Sequence, residues 1–379
     1  MVSLDMFRGL TIASMILVND PGSWNAVYWP LDHAAWNGWT PTDLVFPFFL
    51  FIVGVAMTFS FASRVERGDS RRKLAWHVVR RSATIFAIGL FLNGFPRFHF
   101  HTIRIPGVLQ RIAVCYLCAG LLYLASRRRE TLPDGKIRVR ANLAAIGAVA
   151  VVLLVGYWAA LKFVPVPGFG VGRLDPEGNL GAYIDRAVMG GHLWSQSKTW
   201  DPEGILSTFP AVATVLVGIF IGEWLRSDRT GARKAIGMAI AGAVLLIAGR
   251  ALHPFFPINK KLWTSTFVLF TGGFAMLLLS LFYWLVDLRR WRGWTAPLLA
   301  FGTNAIFAFV LADLIAILSI VIHVSDGGER VSLYGWFYEK FFTPYFSAYH
   351  ASLAFAIFFV LLNLALVWPL YRKRIFIRI

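Results

Sequence analysis

Charge and cysteine are what this sequence lacks most. Only 15% of its 379 residues are charged, against 57% hydrophobic, whereas a soluble globular domain carries roughly a quarter charged residues. The shortfall excludes an ordinary soluble domain and points to a chain whose solvent is largely lipid. Acidic residues are rarer still, with 20 Asp and Glu against 37 Lys and Arg and a net charge of +17. In a soluble protein that balance would suggest nucleic acid. Here the cations cluster in short loops between apolar stretches of bilayer-spanning length, about 17 to 25 residues each. The charge therefore reports topology, and no nucleic-acid partner is expected.

The two cysteines, Cys115 and Cys118, both lie inside an apolar run, which excludes a disulfide framework. Their C-x-x-C spacing has no second pair and no basic loop nearby to lower a thiol pKa, so they read as small packing residues. A signal-peptide cleavage site is missing too: the apolar run 10–18 is followed by Asn19, Asp20 and Pro21 instead of a small-x-small pattern. The first helix is expected to stay. Low-complexity segments, soluble domains and clear internal repeats are likewise lacking, so the chain reads as one domain over 1–379.

What is present is a series of ten apolar spans, at 6–18, 41–63, 78–95, 106–125, 141–163, 204–225, 234–252, 262–286, 296–322 and 351–371. They predict an all-α polytopic membrane bundle, with the first span short enough to begin before Met6 and tilt little. Placing the N-terminus in the cytoplasm collects 25 of the 37 Lys and Arg on one side, in segments 64–81, 127–140, 226–234, 289–292 and 372–378 together with Arg8. The positive-inside rule then gives N-in, C-in and ten crossings. On the opposite side, residues 20–40 contain no Lys or Arg, yet hold His33 among Trp24, Tyr28, Trp29, Trp36 and Trp39. Segments 164–203 and 323–350 are also long, as lids and binding surfaces often are, and the first contains a short amphipathic helix at 182–188.

Polar groups at membrane depth are expensive, so each needs a partner or a task. Asp5 and Arg8 stand three apart and can pair along one helix face. In Thr40-Pro41-Thr42-Asp43, Thr40 can cap a helix, Pro41 suits its first position and Asp43 closes a capping box, so a structural role for Asp43 is at least as good as a catalytic one. Asp201-Pro202-Glu203 reads as another helix start. His99 and His101 lack a neighbouring carboxylate or cysteine and make a weak metal site, so no metal is expected. Arg111, inside the fourth span, must face a carboxylate of its own protein or a ligand's phosphate. His33 is different. An imidazole, which titrates near pH 6.5 when unperturbed, suits general-base work in a cationless aromatic loop.

Several blocks then become recognisable. Ser3-Leu4-Asp5-Met6-Phe7-Arg8-Gly9, Leu17-Val18-Asn19, His33-Ala34-Ala35-Trp36-Asn37-Gly38 and Asp43-Leu44-Val45-Phe46-Pro47 come first. Arg104-Ile105-Pro106-Gly107-Val108-Leu109-Gln110-Arg111, Tyr183-Ile184-Asp185-Arg186, Asp201-Pro202-Glu203-Gly204-Ile205-Leu206 and Asn259-Lys260-Lys261-Leu262-Trp263 follow in order. Together they resemble the heparan-α-glucosaminide N-acetyltransferase family. The family's lysosomal members carry an N-terminal lumenal region and an additional helix, and this chain resembles the compact bacterial form.

The resemblance implies transfer of an acetyl group from cytoplasmic acetyl-CoA to an amino sugar outside a bacterial inner membrane, and homodimer formation as among relatives. Asn19 and His33 fall on the family's active-site asparagine and histidine. His33 is then the base that deprotonates the acceptor amine, while Asn19 orients the imidazole or donates to the developing oxyanion. Arg8 and Asn304 are expected to serve the cofactor. Asp43, Arg104, Arg111, Asp201, Glu203, Asn259, Lys260 and Trp263 are expected on the substrate side, Arg111 holding the sugar or bracing Asp43 or Glu203. A saccharide transporter is the competing reading, which inverted repeats or paired broken helices would favour; the sequence displays neither.

Overall fold

The computed structural model describes residues 1–131 and 137–377. In chain order its elements are α1 (Val2–Asn19), α2 (Val45–Glu66), α3 (Arg71–Gly94), α4 (Val108–Ser126), β1 (Arg127–Thr131), β2 (Ile137–Ala141), α5 (Leu143–Phe163), α6 (Leu180–Met189), α7 (Thr208–Leu225), α8 (Gly231–Ala251) and α9 (Ser265–Phe282). Then come α10 (Ala296–Thr303), α11 (Ala305–Val321), β3 (His323–Asp326), β4 (Glu329–Ser332), α12 (Leu333–Phe341) and α13 (Ala348–Arg372). The fold is an all-α polytopic membrane fold, with two antiparallel ribbons, β1–β2 and β3–β4, as its only strands among the described residues.

Eight of these helices are long and apolar enough to cross a membrane, and a bent pair makes a ninth span if its halves are counted together. Two expectations change. The predicted span 78–95 lies in α3, which is a 24-residue helix, but its first half carries Arg71, Arg72, Lys73, Arg80 and Arg81 and leaves too short an apolar stretch to count. The predicted span 296–322 is not one helix. It breaks at Asn304 into α10 and α11, whose axes differ by 87°. α1 does begin before Met6, and the amphipathic helix expected at 182–188 is α6.

The chain forms two compact units. One comprises Trp36–Gly38 and Pro47–Trp284. Within it α2 and α7 are the inner helices, each with 67% of its apolar window buried, whereas α5 and α8 bury only 17% and turn Val151, Val152, Ile236 and Ile240 outward. That outward apolar surface is what lipid contact requires. α2 and α7 meet at Gly54 and Gly218, where an added Cβ would stand 2.0 Å from the Val215 carbonyl oxygen and 2.1 Å from that of Phe51. Only glycine permits this backbone approach, a common device where lipid offers no hydrophobic drive to association.

The other unit comprises Met1–Ala35, Trp39–Phe46 and Leu285–Ile379, joining the two ends of the chain. Its α1 packs on α10 through Gly9 and Gly302, whose added Cβ atoms would lie 1.7 Å from the Leu298 oxygen and 1.8 Å from the Asp5 oxygen. Asp287 accepts from Val2 N and Ser3 N, both at 3.3 Å, and from Ser3 Oγ, placing a carboxylate at the positive end of α1. The break at Asn304 has a tertiary cause. Its buried amide donates to Ile375 O at 3.1 Å and accepts from Ile377 N at 2.8 Å, so the chain's last segment is bonded into the gap.

Candidate active site

The loop after α1 has little regular structure, yet its own polar groups knit it together. Pro30 starts a single 3₁₀ turn, Trp29–Leu31, and a second, Pro41–Leu44, runs into α2 behind a Thr40/Asp43 capping box. Thr40 Oγ1 donates to Asp32 O at 2.6 Å and Thr42 Oγ1 to Pro30 O at 3.0 Å. These bonds hold the segment before His33 against the helix start that carries Asp43.

Asp43 is the centre of the arrangement. Its side chain is 1% exposed. Oδ2 accepts from Thr40 N at 3.0 Å and Ala34 N at 3.1 Å. Oδ1 lies 2.7 Å from His33 Nδ1. Against a carboxylate that nitrogen must be the donor, which assigns the imidazole lone pair to Nε2. Structural capping and histidine positioning are therefore done by the same buried group. Asn19 was expected to orient the imidazole or to donate to the developing oxyanion. It closes α1 as an exposed residue, and Asp43 is bonded to the ring at Nδ1.

His33 lines a cleft of about 490 Å³ with Tyr28, Trp29, Asp32, Thr40 and Tyr349. Tyr28 stacks obliquely on Tyr349 at 5.4 Å and meets His350 edge-on at 5.9 Å. Asp20, one residue past Asn19, is buried, and its carboxyl pKa is pushed well up by that burial and by the charge of Asp313. Sequence reasoning passed over both Asp20 and Asp32. An acid in a cationless aromatic loop was the available signal.

The other expected substrate residues lie in the larger unit, where they engage one another. Arg104 clamps Asp201 through Nε at 2.9 Å and Nη2 at 2.6 Å, and Nη2 also reaches Glu203 at 2.6 Å. Burial alone would lower the pKa of Arg104, but the two carboxylates hold it above its usual range. Asp201 is no helix cap: α7 starts at Thr208, and Asp201 accepts instead from Trp194 N and Glu203 N. Arg111 is 2% exposed, donates to Gly204 O and Ser207 Oγ, and lies over the Trp263 ring at 5.1 Å. It braces the turn before α7, not Asp43 or Glu203.

Asn259, fully buried, accepts from Leu262 N at 2.8 Å and donates to Asn37 at 3.1 Å, while Trp263 donates to Thr214 at 3.1 Å. Lys260 opens the turn that ends at Trp263, and the next ammonium, Lys261, lies within 6 Å of the Trp36 and Trp200 rings, at 5.8 and 5.7 Å. In the same unit Trp36 donates to Leu174 O and Gly38 to Ile258 O. Arg104, Arg111, Asp201, Asn259 and Trp263 thus form a loop-bracing network more than a set of open ligands. Asn304 likewise moves from cofactor contact to anchor of the C-terminal segment, and Arg8 pairs with Asp5 and Gly302 O, both at 3.1 Å.

A profile described as heparan-α-glucosaminide N-acetyltransferase, catalytic, matches residues 1–164. The heparan-α-glucosaminide N-acetyltransferase of Mus musculus is 32% identical over 348 residues, and that of Homo sapiens is 31% identical over 349. The chain belongs to the heparan-α-glucosaminide N-acetyltransferase family. Each alignment covers 81% of this chain and 52% of the relative, so the chain spans about half the length of the curated relatives it matches. The catalytic profile of that family takes in α1, the loop with His33, Asp43 and the cleft between them and solvent, and the Arg104 and Arg111 block.

Proposed function

We propose that the protein is a membrane N-acetyltransferase that moves an acetyl group from acetyl-CoA to the amine of a glucosamine-type sugar, with His33 as general base. The observation that carries this reading is the His33 Nδ1 to Asp43 bond of 2.7 Å at a cleft lined, apart from Tyr349, by residues of the segment that the family's catalytic profile matches. Asp43 fixes the imidazole tautomer so that Nε2 takes the proton, the role a buried carboxylate plays behind a catalytic histidine elsewhere.

The sugar's neutral nitrogen attacks the thioester carbonyl. An N–C bond forms, the C–S bond breaks, the amine proton passes to His33 Nε2, and from there it neutralises the departing CoA thiolate. Transfer is direct, without an acetyl-histidine. Asn19 is the proposed donor to the oxyanion that develops during attack. The distribution of Lys and Arg supports both termini in the cytoplasm of a bacterial inner membrane, acetyl-CoA entering from that side and the acceptor from the other. A homodimer is part of the proposal.

Proteoliposomes with acetyl-labelled CoA on one face and glucosamine on the other test it. Labelled N-acetylglucosamine on the acceptor face is expected. Uptake of unmodified sugar without acetylation would refute the transferase reading and favour a transporter.

A further inference from the structure

The cleft beside His33 carries a second carboxylate with a different task. Asp32 is exposed and lines the cleft, unlike the buried Asp43 behind the ring. Its Oδ1 accepts from His33 N at 2.7 Å, and its backbone is fixed by Thr40 Oγ1 at 2.6 Å and by its own N–H to Trp29 O at 3.4 Å. Its Oδ2 takes no hydrogen bond from the described residues. The carboxylate is therefore positioned by the loop in the lining of the cleft.

The rest of the lining is aromatic or small, with Tyr28, Trp29, Tyr349, Ala34 and Ala35, and it contains no Lys or Arg. Residues 20–40 supply none either. An anionic oxygen beside electron-rich ring faces attracts a small organic cation. It offers nothing of the kind to a neutral sugar hydroxyl. A pyranose with an ammonium group fits both features, its C–H face on the rings and its charge on the carboxylate.

We infer that Asp32 selects the acceptor in its protonated amine form, holding the ammonium beside His33 until the imidazole removes a proton. The inference rests on the acetyltransferase reading for its acceptor. The ammonium's first proton leaves through His33 Nε2 to solvent, the resulting neutral amine attacks, and the proton it sheds on attack passes through the same nitrogen to the departing CoA thiolate.

Asp32→Asn isolates the charge, because an asparagine Oδ1 still accepts from His33 N and the backbone bonds are unaltered. Binding of glucosamine and of neutral N-acetylglucosamine is measured by calorimetry on the purified full chain without acetyl-CoA, and the KM for glucosamine is measured against pH. The expected result is about a tenfold weaker glucosamine affinity in Asp32→Asn, the size of one partly exposed charge-assisted hydrogen bond, with N-acetylglucosamine affinity unaltered and Asp32→Glu restoring most of the loss. Wild-type KM is expected to rise as the amine loses its proton, and Asp32→Asn to flatten that profile.

Equal glucosamine binding by wild type and Asp32→Asn overturns the inference, as does equal weakening of both sugars or no glucosamine binding by wild type. Asp32-dependent glucosamine binding without acetyl transfer by the wild type sustains it and defeats the transferase reading instead.

Discussion

Replacing Asp43 by asparagine separates the two tasks of that side chain. Oδ2 accepts from Thr40 N and Ala34 N, while Oδ1 lies against His33 Nδ1. An asparagine will put its oxygen where the two backbone donors converge, since the opposite flip would set its NH2 against both N–H groups. The NH2 then points at Nδ1 and forces the imidazole into the other tautomer, with the proton on Nε2, where it cannot act as a base. The same wrong-tautomer change behind a catalytic histidine elsewhere lowers kcat by about 10⁴-fold, which corresponds to about 5.5 kcal/mol of transition-state stabilisation.

The capping bonds survive in Asp43→Asn and are lost in Asp43→Ala, so only the alanine variant should show a large fall in thermal midpoint as well. Initial rates of label transfer from acetyl-CoA to glucosamine, with unfolding followed in detergent, give both quantities. Because the two residues act as a unit, adding His33→Ala to Asp43→Asn is expected to cost little more. A folded Asp43→Asn with kcat within tenfold of wild type would refute the assignment.

Three further outcomes follow from the same contacts. Arg104→Ala strands Asp201 and Glu203, whose side chains are 0% and 9% exposed, and should lower stability by about 3–5 kcal/mol; the thermal midpoint reports this, and a triple variant with Met, Asn and Gln at 104, 201 and 203 should recover much of it. Burial raises the Asp185 carboxyl to about 6, above the roughly 3.9 of an unfolded chain. The folded state then keeps a proton that the unfolded state has lost, so stability is highest below pH 4 and falls by up to about 3 kcal/mol as pH rises to 6. Asp185→Asn retains an acceptor for Ile205 N and should melt higher than wild type at pH 7.5 but not at pH 4, and equal midpoints at both would contradict the argument. Gly9→Leu places a side chain where even a Cβ would lie 1.7 Å from Leu298 O, so no monodisperse protein is expected on size exclusion; a folded variant with the wild-type midpoint would show that α1 and α10 do not meet there.

Hydropathy is a local property, which is why most spans were legible in sequence, often to within a few residues. α3 marks where it stops, because its basic first half forms a helix without contributing apolar length. The break at Asn304 depends on Ile375 and Ile377, about 70 residues away, so the polar residue was visible but its effect on the backbone was not. His33 and Asp43 were each conspicuous. Their pairing depends on the path of the intervening loop, and a capping signature at Asp43 masked its second role. Arg104 and Asp201 are 97 residues apart, and nothing local in either stretch specifies that they meet. Asp185 was visible inside a family block, yet its burial is a property of packing.

The central claim is that His33 removes the acceptor's proton. Its most direct test is the transfer rate of His33→Ala beside wild type, in proteoliposomes given labelled acetyl-CoA and glucosamine. Wild type is expected to accumulate labelled N-acetylglucosamine while His33→Ala, folded and inserted to the same level, makes almost none. N-acetylation by His33→Ala at the wild-type rate would contradict the account.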